Sequence, residues 1–290
     1  MALRAKKPET VQKRLKCLFF GPAGSGKTTA AIGFPKPYLI DTEKGAENAQ
    51  YADVLSKSGG VILQTNDFDE IVAEVMALLG ESHTYQTLII DPITTVYDDL
   101  VSKCEERLAA KSKSGDGTEF GRHYAEAKKR WKQLANLLMR LDMNVVVTSH
   151  AKNLYGDQMK LLGKTFDGPK GLDHLFDLVV EVARRGNERV GIVTKTRLAE
   201  FPDGDVLPFN YSAMAERYGR EVLERNSTPT PLATPAQVDE LASLIVKAEV
   251  GADVVEKWLD RASAGSLAEL PAEAAGKCIE WCKTRIKPAM

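Results

Sequence analysis

The chain has 290 residues, 43% of them hydrophobic and 27% charged, with a formal net charge of −1. That is enough for one large α/β domain with a small appendage, and the charge points to no class of partner. No apolar run approaches the roughly 18 to 20 residues that span a bilayer, and the basic start MALRAKKPETVQKR lacks the apolar segment of a secretory signal, so a cytoplasmic protein with no membrane partner is expected.

Residues 1–14 are expected to form a basic N-terminal arm. The apolar run 15–20 reads as the first strand, and residues 29–34 as the start of a helix. Between them lies Gly21-Pro22-Ala23-Gly24-Ser25-Gly26-Lys27-Thr28, a G-x-x-x-x-G-K-[ST] phosphate-binding loop. The spacing is demanding because backbone N–H groups must turn inward around a triphosphate, which only small residues tolerant of positive φ allow. Gly21, Pro22, Ala23, Gly24, Ser25, Gly26, Lys27, Thr28 and Thr29 are therefore the expected nucleotide-binding residues. Lys27 would lie across the β- and γ-phosphates, Thr28 would ligate Mg²⁺, and the expected cofactors are ATP and Mg²⁺.

Pro35 and Pro37 end the loop's helix, and Tyr38-Leu39-Ile40-Asp41 reads as the next strand, leading to Glu43. Residues 61–63 read as a short strand, and 67–79 as an amphipathic helix capped by Asp67 or Asn66. Thr87-Leu88-Ile89-Ile90-Asp91 runs without alternation, as a parallel strand buried on both faces does. Asp91 at its end is the expected Mg²⁺ carboxylate, of the Walker B kind. Pro92 follows it, so the acid that orients the attacking water must come from elsewhere, and Glu43 is the best candidate.

Helical sequence over 93–110 gives way to a glycine-bearing polar patch at 111–118. A long helix over about 124–141 then leads to the buried strand Val145-Val146-Val147-Thr148-Ser149, which ends at His150, a candidate γ-phosphate sensor. Residues 151–171 carry four lysines and several glycines and are expected to be a loop. Apolar runs over 178–183 and 189–195 flank Arg184-Arg185-Gly186-Asn187-Glu188, a hairpin signature. Lys195 and Arg197 alternate on the second of these strands. They are either ordinary exposed strand charges or cationic fingers that reach a neighbouring subunit's ATP.

The stretch NSTPTPLATP, 226–235, reads as a linker, and three helical patterns over 236–290 follow it. The expected organisation is thus an arm (1–14), an ATPase core (15–225), a linker (226–235) and a helical module (236–290). Cys17, Cys104, Cys278 and Cys282 are scattered. No second Cys/His pair accompanies Cys278 and Cys282, which argues for reduced thiols rather than zinc.

Taken together, YLIDTEKG, LIID, VVVTSH, the glycine-bearing loop before GLDHLFDLVVEV and the hairpin ending VTKTRLAEFP resemble a RecA-type core over about residues 15–210. The resemblance is closest to the short phage ATPases of the Sak type, core-only RecA relatives that act in single-strand annealing. It implies an α/β fold: a RecA-like P-loop NTPase core with a mainly parallel sheet and an edge β-hairpin, plus the C-terminal helical module. It implies an ATPase stimulated by single-stranded DNA, working in phage-type recombination in the cytoplasm of an infected bacterium.

Carried over position by position, Lys27 and Thr28 bind phosphate and Mg²⁺, Asp91 is the Walker B acid and Glu43 activates water. His150 stands where the family usually has glutamine, and Lys195 and Arg197 match the basic pair that acts in trans. The resemblance also implies a homo-oligomer, ring or filament, with ATP between subunits, and a single-stranded-DNA-binding protein as helper. The family's DNA loops correspond to about 111–123 and 152–171. They carry Lys111, Lys113, Arg122, Lys152, Tyr155, Lys160, Lys164, Phe166 and Lys170, with Phe120 and His123, suited to phosphate neutralisation and base stacking. Two other classes stay open: a small-molecule or nucleotide kinase, and a non-catalytic ATP-dependent clamp or recruitment protein.

Overall fold

The computed structural model describes residues 13–45, 49–112, 118 and 121–286. The expected basic arm up to residue 12, Lys113 and Phe120 lie outside them.

The core strands are β1 (Lys16–Gly21), β2 (Pro37–Asp41), β3 (Val61–Gln64), β4 (Thr87–Asp91), β5 (Asn144–Tyr155), β6 (Leu161–Phe166), β7 (Leu178–Arg185), β8 (Glu188–Thr196) and β9 (Val206–Pro208). The sheet order is β3-β2-β4-β5-β1-β7-β8-β9, parallel from β3 through β7 and antiparallel across β7, β8 and β9. This is the mainly parallel α/β sheet with an antiparallel edge that the sequence led one to expect.

Burial explains why the central strands show no alternation. Leu18 and Phe20 of β1 pack with helices α3 (Phe68–Gly80), α4 (Ile93–Ala109) and α5 (Arg122–Arg140) on one face. Cys17 and Phe19 pack on the other face with α1 (Lys27–Ala31) and α6 (Tyr211–Tyr218). Successive side chains point to opposite faces, so a strand covered on both must be apolar throughout. Asp67 caps α3, its Oδ1 accepting from the backbone N–H of Asp69 and Glu70. The sequence reading passed over α2 (Ala49–Ser58), α6, α7 (Arg220–Leu223) and β9, all of them short.

The expectation of a loop over 151–171 is wrong for most of its length. β5 runs on beyond the sheet and pairs with β6 as a two-stranded ribbon, Ala151 opposite Phe166 and Asn153 opposite Lys164. The ribbon leaves most of its side chains in solvent, Leu161 and Leu162 among them. With no buried face there is no apolar alternation to betray a strand.

Residues 226–234 are strapped across the core. Thr230 N donates to Leu79 O (2.7 Å), Thr228 N to Asp142 Oδ2 (3.0 Å) and Ala233 N to Leu270 O (2.8 Å). Thr234 and Gln237 then form a capping box that starts α8 (Pro235–Lys247), with Pro235 in its first turn. With α9 (Ala252–Ala262) and α10 (Ala272–Lys283), α8 closes on a small core of Leu241, Leu270, Ile279 and Cys282. Glu269, wholly buried, fastens this module to the core: its Oε1 accepts from Gln133 Nε2 (2.6 Å) and its carbonyl from Arg140 (2.8 Å), both on α5. Among the described residues, no helix is long and apolar enough to cross a membrane, and all four cysteines are free thiols.

Candidate nucleotide site

The sheet order sets β2, β4, β5 and β1 side by side, and all four end at the same edge. Asp41 pairs with Asp91, and Gly21 with His150. Functional side chains that lie far apart in sequence are thereby gathered on one rim, as ligand sites in open α/β sheets are.

The loop between β1 and α1 has the geometry its glycines allow. Gly24 and Gly26 adopt φ of +71° and +101°, where side chains are strained. A Cβ on Gly21 would stand 2.5 Å from the Val182 carbonyl oxygen, so β7 tolerates only glycine there. Lys27 folds back, its Nζ donating to Gly21 O (2.9 Å) and Pro22 O (3.0 Å). Burial holds its pKa below the usual lysine value, even with Asp91 and Glu43 nearby. Ser25 Oγ is buried without a hydrogen-bond partner among the described residues, a group that an entering phosphate oxygen would satisfy.

Asp91 is partly buried and accepts from the hydroxyl groups of Thr148 and Thr28. Burial raises its pKa above the ordinary aspartate value, against the pull of those hydrogen bonds and of Lys27. A partly buried carboxylate beside a threonine hydroxyl fits Mg²⁺, which takes one or two protein oxygens and completes its shell from phosphate and water. Asp41, which is buried, accepts from the N–H of Glu43 (3.4 Å) and Gly45 (3.2 Å) and so shapes the turn that presents Glu43. Glu43 Oε1 stands 3.2 Å from His150 Nε2, both half-exposed at the rim.

The base of the ribbon is tied to the same rim. Asp167 N donates to His150 O (2.8 Å), and its carbonyl accepts from Thr94 Oγ1 (2.8 Å) and Ser149 Oγ (2.7 Å). Thr94 stands near the start of α4, just after Asp91.

The remaining expected residues divide. Lys195 and Arg197 lie away from the P-loop. Lys195 pairs with Val179, level with Leu18, and Arg197 N donates to Asp177 O, level with Lys16. Five residues along β1 separate Lys16 from Gly21, about 16 Å. Lys195 donates to Phe176 O, and Arg197 to His174 O (2.6 Å). Burial, then Arg197, pushes the Lys195 pKa down.

Lys111, Arg122, Lys152, Tyr155, Lys160, Lys164 and Lys170 are exposed. The ribbon's register sets Tyr155 and Lys164 on one face and Lys152, paired with Asp167 at 3.0 Å, on the other. Phe166 instead packs edge-on to Phe20 at 6.5 Å, and His123 is buried against Tyr124, so neither offers a free ring.

Sequence reasoning missed Arg189. A Cβ on Gly26 would fall 2.3 Å from Arg189 Cδ, so this side chain lies across the phosphate loop. From there a cleft of about 510 Å³ runs between Thr29 and Gly33 on one side and Phe209, Asn210 and Tyr211 on the other. The signal was available: β8 runs antiparallel to β7, so the residues just after the Gly186-Asn187 turn must return to the P-loop edge.

A family model described as an AAA domain, AAA_24, matches residues 13–200. The chain belongs to this family. Its matched part runs from β1 through β8 and takes in the whole rim, and nucleotide binding is what such a domain implies.

Among solved structures, this AAA domain is similar to the RadB recombinase, at 16% identity and a TM-score of 0.40, over 66% of this chain and 84% of that one. It is also similar to a prototypical ATPase from the type III secretion system of pathogenic bacteria (13%, TM-score 0.36, 99% and 90%). A third is the assembled ATPase EscN from the type III secretion system of enteropathogenic E. coli (13%, TM-score 0.37, 94% and 67%). No curated protein matches the chain. Likenesses this distant carry no function with them.

Proposed function

We propose that this AAA domain is a Mg²⁺-dependent ATPase that acts on single-stranded DNA in recombination or annealing, as the resemblance to Sak-type phage proteins implies. The observation that carries it is the joining of two things on one strand. β5 delivers Thr148 to Asp91 and His150 to Glu43, and then continues as an exposed ribbon bearing Lys152, Tyr155 and Lys164. In this reading Lys27 and Thr28 take the phosphates and Mg²⁺, Asp91 holds the metal, Glu43 orients water and His150 senses the γ-phosphate. The phosphate loop's N–H groups and Lys27 offset charge building on the transferred group.

Cations on the ribbon suit a phosphate backbone, and Tyr155 a base. Lys195 and Arg197, remote from their own P-loop, are in this reading the basic pair that reaches a neighbouring copy's nucleotide, which is why it includes a homo-oligomer; the alternative is ordinary strand charges tied to Phe176 O, His174 O and Asp177. The test is ATP hydrolysis with and without single-stranded DNA at two salt concentrations, alongside Lys27→Ala and Glu43→Gln. Stimulation that fades with salt and vanishes in both variants supports the reading. Turnover indifferent to DNA sinks it.

A further inference from the structure

Helix α9 carries Val254, Val255, Trp258 and Leu259 on one side, yet none of its residues is fully buried. An amphipathic helix in a closed bundle normally hides such a stripe. Of this stripe, Trp258 lines an open groove of about 420 Å³ between α9 and α10, together with Arg261, Leu270, Ala274, Lys277 and Trp281 among others. The two indoles meet edge to face at 5.2 Å, and the Arg285 guanidinium lies 3.9 Å from the Trp281 ring centroid. Three cations therefore rim an apolar trough. Arg261 has no acidic partner among the described residues, and Lys277 pairs only with Glu273, an exposed contact one turn away, of a kind that holds its partners weakly.

We infer that this groove docks a partner peptide that is acidic and carries one aromatic or aliphatic anchor. The trough has the volume of a side-chain pocket, indoles and arginines are the residues that concentrate binding energy, and carboxylates pair with guanidinium in the fork geometry that Arg261 offers. A second copy seated symmetrically would set the same cationic rim against itself. Nucleic acid is disfavoured because the Trp281 face a base would stack on is covered by Arg285.

The test uses the full chain and fluorescein-labelled peptides of consecutive aspartates ending in Phe, Leu or Ile, read by polarisation. The expected result is binding that weakens about tenfold or more when the final residue is Ala, when lysines replace the aspartates, and in Arg261→Glu with Lys277→Glu. Both substituted residues are exposed, so the melting temperature and nucleotide binding should stay as in the parent. Trp281→Phe, which keeps the ring, should weaken binding less than the charge reversals. The inference is overturned if no acidic peptide binds, if binding ignores the charge reversals, if a labelled oligothymidine occupies the groove in their place, or if the reversals abolish a dimer seen by sedimentation. None of these outcomes depends on whether ATP turnover responds to DNA.

Discussion

Two buried lysines on either side of β1 show how one chemical group serves opposite ends. Lys16 donates to the carbonyls of Leu138 (3.1 Å), Leu141 (2.9 Å) and Met143 (2.8 Å), at the C-terminal end of α5. Lys27, just past the other end, donates to two carbonyls of its own loop. Burial lowers both pKa values, that of Lys16 to about 7. The difference lies in the acceptors. Those of Lys16 belong to a distant part of the chain and would be left without a donor if it departed. Those of Lys27 are local, and a phosphate can take the ammonium from them while they turn to water. The same contact is a clamp at one end and a parked ligand at the other.

The sharpest way to break this comparison is to remove each amine. Lys16→Met should cost about 2–4 kcal/mol, because buried carbonyls lose their donor. Lys27→Met should stay within about 1 kcal/mol of the parent in denaturant melts, yet lose its thermal shift with ATP. Equal stability losses would show that the two contacts are alike.

Asp91→Asn extends the test to the rim's partly buried acid. Its raised pKa means that the folded chain holds this proton more tightly than the unfolded one, so the group subtracts stability as pH rises through the ordinary aspartate range toward the raised value. The substitution should therefore leave the melting temperature without ligand at neutral pH unchanged or higher, and abolish any Mg²⁺-dependent gain from ATP. A fall of several degrees would mean that the carboxylate is structural.

The last test concerns pH. Lys16 is depressed from 10.5 to about 7, so its stabilising contribution is complete above the unfolded value and is lost as pH falls toward 7. Chemical melts should show stability rising between about pH 7 and 10, a slope that Lys16→Met flattens.

How much of this was legible in sequence follows from burial. The phosphate loop and the strands ending in Asp41, Asp91 and His150 could be read because a buried parallel strand is an unbroken apolar run that stops at a polar residue. The rim gathers those ends, but their order across the sheet is not written in any one segment. The β5–β6 ribbon was illegible because a strand wet on both faces has no period to detect. The Ser, Thr and Pro of 226–235 read as a linker, and composition did not show that the backbone of Thr230 and Ala233 is bound; it reports what a segment can bury, not what its amides meet. Arg189 was read only as the first residue of the hairpin's second strand, and the strand register is what sets it against Gly26.

Arg14 links the beginning and end of the core. Its guanidinium donates to the carbonyls of Val222 (2.9 Å), Leu223 (3.3 Å), Arg225 (2.5 Å) and Asn226 (2.8 Å). Residues 13–14 and 222–226 thus meet at one place, where Tyr218 also donates to Lys13 O (2.6 Å) and Arg225 shares Asp142 with Arg14, so a change at either end of the core is felt at the other.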